Sequence, residues 1–320
     1  MNNPMARMAA ALFLCGGVAG CGEGLPVGQD TVADGETLFS FGVVTQVDPL
    51  VINGVAYSTD EAQIAVEGSA VDGSALKPGM VVSVVGPVNA GRSAGVARQI
   101  LYEDELEADV NRLDNTARRM TIMGQEIRYD ANTVFAGVTP TTLPGGAVVE
   151  VSGFRSFNGS IAATRVEYRR RLNQTGEVMT LKGVVHDVDP QAKRFRIGSR
   201  RISYTSTSST SGPKNGEFIA VTTNQIVLGD VLASGMHRTS DIPGLKAPAR
   251  VRMQGVVEGD PGTPLINGLF IQLTGGTRFD NGSANDLTAG AVIILEGEYT
   301  RQQELAADRI RFLPAPNLSL

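Results

Sequence analysis

The sequence predicts an all-β protein of four small tandem barrels, and three observations carry that prediction. An eleven-residue phrase, Leu76-Lys-Pro-Gly79-Met-Val81-Val82-Ser-Val84-Val-Gly86, returns at 143–153 and 287–297, with a worn copy at 213–221. Its turn glycines, Gly79, Gly146, Gly216 and Gly290, stand 67, 70 and 74 residues apart, and a closing alanine follows each after 18, 17, 17 and 17. Internal repetition at a fixed period overrides the two-domain prior of a 320-residue chain. Each copy opens an alternating, β-branched strand, and 38 Gly with 15 Pro supply the turns that many short strands need.

Residues 1–20 read as an export signal: Arg7, then the short apolar core Met8–Leu14, then small residues. The stretch is shorter than the ~20 residues of a spanning helix. Its end, Val18-Ala19-Gly20-Cys21, resembles the lipobox of bacterial lipoproteins. That resemblance implies cleavage before Cys21 and acylation of its thiol and new amine, hence membrane attachment through the lipid. Gly22, rather than Asp, in the next position implies the outer membrane. Cys15 follows Phe13 and Leu14 and leaves with the signal, so no cysteine remains for a disulfide or a thiolate metal site. Residues 21–37, rich in Gly, Asp and Glu, read as a flexible tether.

The four units are expected at 38–103, 104–171, 177–240 and 249–313. The first opens with Gly42–Pro49, turns through the hairpin signal Asn53-Gly54, and closes on Ala97–Tyr102. Opening strands recur at 108–114, 183–190 and 255–261, and second strands at 120–129, 195–204 and 271–279. The third unit is divergent. Thr223 stands where the others have a closing glycine, and a Ser/Thr tract fills 205–211. A sheet of five or six short strands must close on itself or be covered, which favours an OB-like barrel. Units of about 65 residues bury only about 60% of their unfolded surface, so neighbours should touch. The Pro-containing 239–249 linker is expected to loosen the fourth unit from the third.

The pattern Leu-x-x-Gly-x-x-Val-x-Val-x-Gly, then Ala-x-x-Ile, resembles the bacterial domain-of-unknown-function family numbered 5666, over about residues 38–313. The resemblance implies an exported, often lipid-anchored tandem protein. The family carries no assigned activity, so it assigns no catalytic residue.

Composition narrows the function. A net charge of −5, with no Trp and 5% aromatics, argues against a nucleic-acid partner. Gly91-Arg-Ser93-Ala-Gly95 matches a hydrolase expression, but it falls in a hairpin loop without the required strand–helix elbow. His186 and His237, the two histidines, make no metal site by themselves. The Asp280–Asp286 loop lacks the spacing and bidentate Glu of a calcium loop and reads as an Asx-rich turn. Arg169–Arg171 reads either as a contact to lipid phosphates or as a solvated linker. Tyr57, Tyr129, Tyr204 and Phe279 share one repeat position, as an aromatic binding stripe or as repeated core plugs. The expected whole is a lipid-anchored envelope protein at the outer membrane, without catalytic residues, metal or cofactor, acting as an interaction scaffold for an envelope protein. A binding module for a glycan, peptide or small ligand is the alternative.

Overall fold

The structure, a computed structural model, describes residues 35–156, 159–171, 178–205, 212–227, 229–239, 242–260, 262–300 and 303–314. The signal, Cys21, most of the tether and most of the Ser/Thr tract lie outside them.

The four phrase glycines occupy left-handed turns, at φ +88°, +71°, +85° and +94° for Gly79, Gly146, Gly216 and Gly290. Such a φ carries little strain only without a Cβ. Each turn releases a long strand whose alternating Val and Ile enter a core. The closing glycines have a different cause. A Cβ on Gly86, Gly153 or Gly297 would overlap a carbonyl oxygen of the partner strand, Val96, Ala162 or Ala306. In the third repeat Thr223 is fully buried, and its hydroxyl donates to Leu232 O at 2.7 Å while the strand shifts register there. The strands also shift register at Gly153 and Gly297, so the bulge belongs to this position and Thr223 keeps it without a glycine.

Repeat 1 contains β1 (Glu36–Val47), β2 (Leu50–Ile52), β3 (Val55–Ser58), β4 (Gln63–Val66), β5 (Ser69–Val71), β6 (Val81–Val88), β7 (Ala94–Val96) and β8 (Gln99–Tyr102). Repeat 2 contains β9 (Leu106–Asp114), β10 (Arg119–Ile122), β11 (Gln125–Arg128), β12 (Val134–Ala136), β13 (Ala147–Arg155) and β14 (Ile161–Arg171). Repeat 3 contains β15 (Met179–Asp189), β16 (Arg194–Ile197), β17 (Arg200–Ser203), β18 (Phe218–Val227) and β19 (Asp230–Arg238). Repeat 4 contains β20 (Ala249–Glu258), β21 (Leu265–Ile266), β22 (Leu269–Asp280), β23 (Val292–Tyr299) and β24 (Glu304–Phe312). No α-helix occurs among the described residues, and no helix is long and apolar enough to cross a membrane.

The ladders return on themselves in a barrel-like arrangement. In repeat 2, β9 pairs β10, β10 pairs β11, β11 runs parallel to β14, β14 pairs β13, and β13 pairs β9. The same circuit is made by β15–β16–β17–β19–β18 and by β20–β21–β22–β24–β23. Repeat 1 makes it through β1–β2–β3–β7–β6, with its last strand split into β7 and β8 and the β4–β5 hairpin added beside β8.

The repeats also pair with one another. The first and fourth join where β1 runs parallel to β20, Phe39 opposite Val251 and Phe41 opposite Met253. The second and third join where β9 meets β15, Leu106 opposite Leu181, and their apolar side chains form one continuous core. The fourth unit is thus paired to the first, and among the described residues no strand ladder joins it to the third. Ile242 of the 239–249 linker is buried in the fourth repeat's core, and Phe39, Phe41 and Phe154 from two other repeats enter the same cluster.

Candidate functional site

The expected aromatic stripe faces inward. Tyr57 is fully buried, its hydroxyl 2.7 Å from Ser40 Oγ; Tyr129 is buried and donates to Asn115 Oδ1 at 2.8 Å. Tyr204 leans on Phe195 at 5.8 Å between ring centres, and Phe279 stacks on Phe312 at 6.5 Å. All four belong to cores or pack against them. The binding-stripe reading is therefore corrected: period-two alternation puts this position on the inner face of each barrel.

The other singled-out residues are tied locally. Ser93 lies between β6 and β7, with its N–H donated to Asn89 Oδ1 at 2.9 Å. His186 contacts Asp187 Oδ2 at 3.1 Å and Gly198 O at 2.9 Å. Asp280 accepts from Arg309 at 2.6 and 3.1 Å, and Asp286 accepts from Ser283 N–H at 2.9 Å, so the Asx-rich loop is occupied by turn and ion-pair chemistry. Arg169 pairs with Glu150 and Glu167, and Arg170 with Glu107, so these two form a clasp within repeat 2 rather than a solvated run.

Two features emerge only from the assembly of repeats. The first is a groove of about 460 Å³ where repeats 1, 2 and 4 meet. Its walls are apolar, including Val44, Val134, Phe154, Val256 and Val292, with Thr45, Thr133 and Gln254 as polar points. Its floor is held by cross-repeat bonds: Gln254 Oε1 accepts from Val43 N–H at 3.2 Å, and Thr164 Oγ1 donates to Gly79 O at 2.7 Å. Among the described residues Asp130 is the one acidic group lining it, and Asp130 Oδ1 is engaged by Asn132 N–H at 2.7 Å and Thr133 N–H at 3.1 Å. Such a groove can seat an apolar side chain or an extended segment. It offers no acid–base pair among its lining residues.

The second feature is a buried polar seam joining repeats 1, 2 and 3. Lys182 of β15, whose side chain is 6% exposed, donates to Asp104 O at 2.9 Å and lies 3.1 Å from Asp104 Oδ1. Glu67 and Glu103 approach the same ammonium at 3.3 and 3.5 Å. Burial first, then the carboxylates of Glu67 and Glu150, pushes Asp104 up to about 7 despite the opposing pull of Lys182. Burial works against the Lys182 charge, but Asp104, Glu67 and Glu103 outweigh it and hold its pKa above the ordinary value. Tyr102 Oη donates to Glu150 Oε1 at 2.7 Å, and Arg155 bridges Gln125 at 2.9 Å and Glu105 at 2.6 Å.

Carboxylate oxygens of Asp104, Glu107 and Glu150 come within 4.8 Å of one another. Each already has its own cation, Lys182, Arg170 and Arg169 respectively, so the cluster is neutralised from within. The cavity beside Asp104 and Lys182 holds about 20 Å³, room for about one water and no substrate. The seam is a joint between repeats.

No curated protein matches this chain. Two of its repeats do match a known domain, and they are the two that keep both an unsplit last strand and the closing glycine, Gly153 or Gly297. Over residues 109–167 and 254–311, the second and fourth repeats match the model of a domain of unknown function, DUF5666.

Proposed function

We propose that the chain is a lipid-anchored protein of the cell envelope, at the outer membrane, whose four repeats are OB-type barrels forming a non-catalytic interaction scaffold. The strand circuit supports the barrel type: counting only the five circuit strands of each repeat, the order is first, second, third, fifth, fourth and back to first, with the third and fifth parallel. The Val18–Cys21 sequence supports the anchor, and an acylated Cys21 would fasten the barrels through a tether to the bilayer.

One observation carries the scaffold reading: the groove shared by three repeats has apolar walls and an acidic group committed to its own turn. A surface made by three units exists only when the units are assembled. The same groove favours a second reading, in which it holds an apolar residue of a peptide, a glycan face or a small ligand.

The test has two arms. A photoreactive amino acid in place of Val292 in the full chain should crosslink one discrete envelope protein in cells, and the same probe at the distant Val71 should not. A small adduct at Val292 would favour the ligand module, and equal labelling at both positions would sink the groove. The purified chain should turn over no ester, glycoside, peptide or phosphate substrate; turnover abolished by Ser93→Ala would put an enzyme first.

A further inference from the structure

In three repeats the last strand carries a short parallel neighbour along its far half, and each repeat treats the outer edge of that neighbour differently. Each pairing begins two residues after the closing alanine, Ala97, Ala163 or Ala307, so the three edges are equivalent. In repeat 1, Gln63–Ala65 of β4 lies along Gln99–Leu101. In repeat 2, Val134–Ala136, the whole of β12, lies along Arg165–Glu167. In repeat 4, Arg278–Asp280 of β22 lies along Arg309–Arg311.

An open strand edge is a template for another strand, and proteins blunt it with a cover or with charge. Repeat 1 uses a cover. The chain turns back through Glu67 and Gly68, both at positive φ, and β5 pairs antiparallel with β4, Val71 opposite Ile64 and Ala70 opposite Ala65. Repeat 4 uses charge: Arg278 is exposed, and Asp280 accepts from Arg309 at 2.6 Å and lies 3.5 Å from Arg311. Repeat 2 does neither. Gly137, at φ +74°, turns the chain away directly after β12, so no returning hairpin follows. Val134, Phe135 and Ala136 carry no charge and are each half-buried, and among the described residues β12 pairs with β14 alone. This edge has the chemistry of the covered one and lacks its cover.

The edge leads into the groove shared by repeats 1, 2 and 4. Val134 begins β12 and lines that groove, with Asn132 and Thr133 just before it. A strand laid antiparallel on β12, as β5 lies on β4, passes Ala136 first and Val134 last, so its next residues meet the groove. There Val44, Val256 and Val292 offer apolar wall to a side chain. The strand β5 is an outer edge too, but Glu67 and Asp72 flank it and none of its residues lines the groove.

We propose that β12 receives an extended, uncharged peptide segment of a partner protein, added as an antiparallel strand with one apolar side chain set in the groove. This rests on the interaction groove proposed above and names what enters it. Main-chain bonds to a sheet edge give such a complex its affinity, and the pocket beside the edge gives it specificity. A charged segment fits less well: among the described lining residues none is basic, and Asp130 is spent on its own turn. A sugar face fits less well too, because the sole ring among them, Phe154, is 4% exposed.

The experiment presents the full chain to an array of uncharged six-residue peptides of randomised sequence, then remakes each hit with alternate backbone nitrogens methylated. Hits should share Val, Ile or Leu at one position. An added strand turns only every second N–H toward β12, so one methylation pattern should weaken binding about 30-fold, the loss of two hydrogen bonds, and the other should leave it unchanged. Ala136→Lys charges the edge, and a chain with residues 66–71 grafted in place of Gly137 covers it. Each should abolish binding, with the thermal midpoint showing a folded protein. A folded variant of either kind that keeps its affinity would overturn the proposal. Hits that tolerate both methylation patterns yet are lost in Val292→Asp would overturn the added strand and leave the groove standing. An array without hits, alongside a crosslink from Val292 in cells, would do the same, whereas failure of both would end groove and strand together. Self-association of the chain that Ala136→Lys removes would reassign the edge to a second copy.

Discussion

Replacing Lys182 by Ala tests the joint between repeats. Among the described residues, the ammonium is the sole cation within 4 Å of Asp104, Glu67 and Glu103. Removing one partner of a buried pair typically costs about 3–5 kcal/mol, because the remaining charge is left uncompensated. Part of that cost depends on pH, and the sign follows from Asp104. Its folded pKa is raised to about 7 from an ordinary value near 3.8. The native state therefore favours the protonated acid: this group's contribution to stability is full below about pH 4 and is lost as pH rises through 7. Near pH 5.5 Asp104 is largely neutral and Lys182 has less to compensate. Above 7 the carboxylate is charged, and without Lys182 its pKa must climb further. Each pH unit above 7 then adds about 1.4 kcal/mol to the cost of the substitution, up to the variant's own pKa. Denaturant unfolding of wild type and Lys182→Ala at pH 5.5 and pH 8 measures both. The cost should be larger at pH 8 by about 1.4 kcal/mol. An identical cost at the two pH values, or one below about 1 kcal/mol at both, would refute the seam as a charge-matched joint.

Gly146→Ala should cost about 1 kcal/mol, the strain of φ +71° in open space, whereas Gly153→Ala should cost several times more because its Cβ meets the Ala162 carbonyl; thermal melts compare them. Tyr102→Phe leaves Glu150 short of a buried donor and should cost about 1–3 kcal/mol in the same assay. Mass spectrometry of the membrane-extracted protein should find lipid on a chain beginning at Cys21, and an unmodified thiol there would remove the anchor.

What the sequence disclosed was whatever repeats. Four glycines at matching spacings marked the turns, and Asn53-Gly54 marked a hairpin whose φ values are +52° and +78°. The joints were invisible because they do not repeat. The residue just before the first strand's glycine is Phe41 in repeat 1, Lys182 in repeat 3 and Gln254 in repeat 4. Alternation places it on the outer face of its own barrel, where sequence reasoning expects solvent. Another repeat covers that face, so Lys182 is buried and Gln254 bonds to β1. Disagreement in residue type at an otherwise regular position was the available signal. The aromatic position misled for the opposite reason: regular recurrence suits a core plug as well as a ligand stripe, and only burial separates the two.

The parallel pairing of β1 with β20 has a consequence for how the chain is made. In a linear repeat array each unit rests on its sequence neighbour, and synthesis can stack them one after another. Here the backbone edge at Phe39–Phe41 finds its partner only when Val251–Met253 has been added, and Val43 waits for Gln254, 211 residues downstream. Until then the first barrel presents an open strand flanked by two phenylalanines. Contacts of such long sequence separation form late and slowly. A chain cut short after the third repeat would therefore keep a sticky edge on its first barrel, ready to pair with another such chain. The fourth repeat acts as the first one's cover, and the two ends of the tandem array mature together.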